Sequence, residues 1–172
     1  LQPYMEMLPT FATEVFNRQV DGFAMFATAA GLGAMCGGLW LAQRGRTEGL
    51  MRILLVATFV GVLAVITFTQ TNNFYLALAE LFFAGIALVA SAICTLSLIQ
   101  NAVDANVRGR VIALNGVLAT GGPALGAIII GTVSETYGVQ TPVMISALVG
   151  LAIWAAIARP IMKNASILEK SD

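Results

Sequence analysis

Five apolar runs constrain this chain more than any other feature. They cover residues 22–42, 53–69, 74–99, 111–131 and 142–158, and four of the five carry no charged side chain. Each is about as long as a helix needs to be to cross a hydrocarbon layer roughly 30 Å thick. Inside lipid every backbone polar group must be satisfied within the protein, and a helix does this within one segment. The pattern therefore predicts an all-α, polytopic helical membrane protein. A soluble alternative fails on charge: only 10% of the residues are charged, against about 25% in soluble domains.

Composition also removes several function classes. The chain has no histidine, which excludes Ser-His and Cys-His catalysis and the usual zinc sites. No metal or cofactor is expected, and the protein is not expected to be an enzyme. The formal net charge is zero, so no nucleic-acid partner is implied. Cys36 and Cys94 both fall inside predicted spans and read as small buried hydrophobes. The sequence begins at Leu1 with no basic segment or cleavage site, and it reads as the C-terminal piece of something longer.

The stretch 101–131 organises the rest. A polar turn at 101–106 leads into Arg108-Gly109-Arg110, and an apolar run follows, broken by Gly121, Gly122, Pro123 and Gly126. The arginines anchor the start of the helix at a membrane face. The small residues admit a neighbouring helix, and the proline bends the span. Residues 1–16 are apolar but interrupted by Pro3, Glu6, Pro9 and Glu14. They read as the outer end of a helix whose start lies upstream. The run 22–42 carries Ala29, Gly33 and Gly37 four apart, the spacing of a close helix contact. Trp154 falls near the far end of the last run, as interfacial aromatics do. Residues 1–158 are expected to form one transmembrane bundle, and 159–172 a disordered cytoplasmic tail.

Orientation follows from the basic residues. If the spans alternate, Arg44, Arg46, Arg52, Arg108, Arg110, Arg159, Lys163 and Lys170 share one side and only Arg18 lies on the other. The positive-inside rule makes the first side, and with it the C-terminus, cytoplasmic. The expected location is a plasma or inner cell membrane.

Four places carry a resemblance: Met7-Leu8-Pro9-Thr10-Phe11-Ala12, the glycine-rich run 31–38, the loop Arg44-Gly45-Arg46, and Val107-Arg108-Gly109-Arg110-Val111 followed by Gly122-Pro123-Ala124-Leu125-Gly126. In these the chain resembles the C-terminal half of a major facilitator superfamily transporter. It is closest to the branch of the enterobactin exporter and the transmembrane secretion effectors. The resemblance covers essentially the whole chain. It implies the end of helix seven plus helices eight to twelve, that is, one six-helix bundle of a twelve-helix fold. It also implies a partner N-terminal half, alternating access, and export of a small amphipathic substrate. The alternative is a non-transporting membrane scaffold or a membrane-embedded enzyme.

Glu80 is the only ionisable residue well inside a complete span. A carboxylate there is costly and often serves transport, unless it sits close enough to the headgroups to be hydrated. Substrate or proton handling is therefore assigned to Glu80, with Ser91, Thr95 and Ser97 as a polar path on the same helix. Hydroxyls in such helices also bond back to their own carbonyls. Arg44, Arg46, Arg108 and Arg110, with Asp104 as a turn residue, form either a topology anchor or a cytoplasmic gate. Gly33, Gly37, Gly121, Gly122, Pro123 and Gly126 are assigned to packing and bending, with helices eight and eleven expected to meet through their glycines.

Overall fold

The computed structural model describes Met5 and residues 7–18, 20–44 and 49–168. A single helical turn, α1 (Leu8–Thr10), widens into a π-helical turn at Phe11–Val15. It closes at Asn17, where φ is +50°. Five long helices follow: α2 (Val20–Arg44), α3 (Leu50–Gln70), α4 (Phe74–Ala102), α5 (Ala105–Tyr137) and α6 (Gln140–Leu168). All five are long and apolar enough to cross a membrane. There is no strand among the described residues. The protein is an all-α polytopic membrane protein.

The connections are tighter than hydropathy indicates. Gly49 begins α3 in the left-handed region, at φ +79°. Between α3 and α4, Thr71 Oγ1 accepts from the Asn73 amide, and Asn73 Oδ1 accepts from the amides of Tyr75 and Leu76. Asn73 therefore caps the orphan donors at the start of α4. Only Val103 and Asp104 separate α4 from α5, so Arg108 and Arg110 lie in the first turns of α5 rather than in a loop. Gly138, at φ +75°, ends α5. Hydropathy marks only the lipid-immersed middle of a helix, and backbone pairing carries each helix on through its polar ends. The same holds at the C-terminus, where helix continues to Leu168 through the region expected to be a disordered tail. The sequence there, Met162-Lys163-Asn164-Ala165, has no glycine to stop it. Arg46 and Lys170 lie outside the described residues.

α4 is the central element. It packs along its length against α2 on one side and α3 on the other, and α6 packs against α3. α5 touches α4 and α6 only lightly. Lipid tails are as apolar as leucine, so close packing rather than hydrophobic burial decides these contacts. The α2–α4 seam shows how. A Cβ built on Gly33 would run into the Phe82 carbonyl, and one on Gly85 into the Ala30 carbonyl. At Gly37 it would stand 2.9 Å from the Ile86 carbonyl oxygen. Gly33 and Gly37 thus meet α4, and not the glycines of α5 with which they were expected to pair. Gly121 and Gly122 of α5 face open space, and Gly126 is half-buried.

The end of the bundle where α4 begins is held by phenylalanines. Phe26 packs against Phe74 at 5.1 Å between ring centroids, against Phe16 at 5.5 Å and against Phe68 at 5.8 Å. Phe11 meets Phe68 at 4.8 Å, and the Arg18 guanidinium lies 4.2 Å over the Phe74 ring. These contacts tie the short N-terminal turn to three spans. Cys94 is buried as expected, whereas Cys36 is exposed on α2.

Candidate functional site

A groove of about 590 Å³ opens between α3, α4 and α5. Thr58 of α3, Ser91 and Thr95 of α4, and Asn115 of α5 give it a polar wall, and Gly122 and Pro123 of α5 form part of its far side. Thr58 lies eight residues from the start of α3, about 12 Å along the helix axis. Asn115 lies ten residues into α5, about 15 Å. The polar wall therefore stands well inside the membrane layer.

The chemistry of that wall follows from its hydrogen bonds. Thr58 Oγ1 donates to the Leu54 carbonyl at 2.7 Å, Ser91 Oγ to Leu88 at 2.9 Å, and Thr95 Oγ1 to Ser91 at 2.8 Å. Each hydroxyl proton is engaged within its own helix, so the groove sees acceptor lone pairs. Pro123 has no N–H, so the carbonyl of Ala119, which also lines the groove, loses its helical donor four residues on. Asn115 adds an amide that makes no hydrogen bond among the described residues. The wall thus combines several acceptors with one side chain able to donate, and it carries no charge. It suits a ligand that brings hydrogen-bond donors on an otherwise apolar body.

Ser91, Thr95, Gly122 and Pro123 are brought together here. Thr58 and Asn115 were missed by sequence reasoning. Asn115 had a usable signal, since an amide in the middle of an apolar run is costly in lipid. Thr58 had none, because a lone threonine in a span is ordinary.

Glu80 is elsewhere. It lies eleven residues before Ser91 on α4, about 16 Å along the axis. Its neighbour across the α3–α4 interface is the Thr67 hydroxyl. Glu80 Oε2 is buried and has no hydrogen-bond partner among the described residues. Glu80 is six residues on from Phe74, which puts it about 9 Å from the helix start.

Arg44, Arg108 and Arg110 occupy the opposite end of the bundle, away from Arg18. Arg108 reaches back from α5 and forks onto the Val103 carbonyl, at 3.2 Å from Nε and 3.1 Å from Nη2. Val103 follows the last residue of α4, so this cation sits where the helix leaves orphan carbonyls and a negative dipole end. Asp104 starts α5 without a side-chain cap, and its carbonyl accepts from the Val107 and Arg108 amides. Arg110 is exposed. Arg44 ends α2 with its guanidinium beside Gly49.

A protein-family model described as transmembrane secretion effector matches residues 3–170. No curated protein and no solved structure matches the chain. The family match takes in all five spans and the N-terminal turn, and it points to a transporter rather than an enzyme. The chain belongs to the transmembrane secretion effector family of major facilitator-type transporters.

Proposed function

We propose that the protein is a secondary active transporter that exports a small amphipathic molecule, of the siderophore, drug or metabolite kind, by alternating access. In this reading the five spans and the N-terminal turn belong to the C-terminal half of a twelve-helix carrier, and a second six-helix half completes it. The observation that carries the reading is the uncharged polar groove between the tightly packed α3–α4 pair and the lightly held α5. A wall of few contacts can shift without breaking a core, and discontinuous or freed backbone groups mark binding sites in such carriers. Glu80, about 16 Å along α4 from Ser91, handles a proton or a cationic group outside this groove. The membrane is the inner or plasma membrane, with the C-terminus cytoplasmic, by the distribution of basic residues. An impermeant thiol reagent applied to intact cells then labels a cysteine placed at Asn72 and leaves one at Thr47 untouched. The reverse pattern inverts the orientation.

Efflux from vesicles holding the full-length protein, screened with a panel of amphipathic dyes, tests the transport reading. Asn115→Leu removes the amide at similar volume. It is expected to slow export roughly tenfold, the worth of about one buried hydrogen bond, with the fold intact. Unchanged export by a stably folded variant contradicts the assignment of the groove.

A further inference from the structure

Arg52 stands where two apolar grooves meet. Arg52, Val56 and Val60 recur every four residues and are all exposed, so they form the outer crest of α3. On one flank of the crest, α3, α4 and Trp40 of α2 bound a groove of about 330 Å³ that reaches Phe83. On the other flank, Phe59 of α3 and Trp154 of α6 bound a groove of about 860 Å³. Arg52 and Val56 line both, and Arg52 is the only charged residue in either wall. Its guanidinium makes no hydrogen bond or ion pair among the described residues.

Depth fits the same picture. Arg52 is the third residue of α3, about 3 Å from the helix end, and Val60 lies about 12 Å deeper. The cation is therefore at headgroup level, with an apolar channel running inward on each side. Two tryptophans, one per groove, flank it at the level such side chains prefer.

We propose that this face holds one anionic phospholipid, its phosphate on Arg52 and one acyl chain along each flank of α3. A guanidinium matches a phosphate in both charge and fork geometry, and the two grooves match the two chains. A soluble anion uses neither groove. A two-fold contact between copies through this crest brings Arg52 against Arg52, a like-charge clash. The proposal rests on membrane insertion and not on transport.

The test is native mass spectrometry of the full-length protein, titrated with phosphatidylglycerol and with phosphatidylcholine of the same chains. Preferential retention of one phosphatidylglycerol is expected. Arg52→Gln is expected to weaken it roughly fivefold, the usual worth of one basic residue at an anionic surface. Arg110→Gln, at the same end of the bundle, leaves it unchanged, and lysophosphatidylglycerol, with a single chain, binds more weakly than the two-chain lipid. Equal retention of the two headgroups by the unchanged protein overturns the proposal. So does equal phosphatidylglycerol retention by Arg52→Gln, or a dimer formed in place of the lipid adduct.

Discussion

The Trp154 indole N–H donates to the Leu55 carbonyl at 3.0 Å, joining α6 to α3 across 99 residues of sequence. The same ring lies 4.8 Å from Phe59, centroid to centroid. The Leu55 carbonyl has two lone pairs, so it can take this bond beside its helical one. Trp154→Phe keeps an aromatic ring and removes the donor. It is expected to lower stability in detergent by about 0.6 kcal/mol, the usual size of an interhelical hydrogen bond in membranes. Thermal unfolding of the two proteins checks this, and no difference between them shows that the ring contact alone holds α6.

The α2–α4 seam makes a sharper prediction. Gly33→Ala and Gly85→Ala each place a methyl group against the backbone of the facing helix. Each is expected to cost about 1–3 kcal/mol, the range for an overpacked contact. Gly31 and Gly116 meet nothing within 4 Å, and their alanine variants are expected to fold as well as the parent. Size-exclusion profiles and unfolding midpoints across the four variants separate close packing from a general intolerance of change.

Arg108 and Arg110 separate structure from topology. Both are basic, one turn into the same helix, and they contribute equally to charge at that face. Only Arg108 holds the end of α4 through Val103. Arg108→Gln is expected to cost roughly 1 kcal/mol, and Arg110→Gln nothing measurable. Chemical denaturation in detergent decides, and equal losses remove the capping role.

These particulars show what the sequence made legible. The spans were readable because lipid demands long apolar runs, and the family was readable because its motifs are local. Ser91, Thr95 and Pro123 stood out as polar or helix-breaking residues in apolar surroundings. The partners of Gly33 and Gly37 did not, because the small-residue spacing on α2 names no opposite helix. Only the fold shows that α4 supplies Gly85 and the facing carbonyls. The phenylalanine cluster was equally hidden, since Phe11 and Phe26 are far in sequence from Phe68 and Phe74 and the four follow no period. The freed Ala119 carbonyl follows from Pro123 by chemistry, but its place in a groove does not.

Glu80→Gln tests coupling. If the carboxyl carries protons, the variant folds and inserts but loses gradient-driven efflux. If it only binds a cationic group, efflux of neutral substrates is spared. Efflux from vesicles under an imposed pH gradient distinguishes the two. Unchanged rates and unchanged pH dependence for both kinds of substrate leave Glu80 as a hydrated residue near the headgroups.

The proposed function makes the groove between α3, α4 and α5 a substrate path open to water inside the membrane layer. This central claim is tested most directly by thiol accessibility in the full-length protein lacking Cys36 and Cys94. Asn115→Cys places a thiol in the groove, and Val60→Cys places one at mid-depth on the lipid-facing crest of α3. With a water-soluble maleimide in membrane vesicles, the account predicts rapid labelling at position 115 and none at position 60. No labelling at 115, or equal labelling at both, contradicts it.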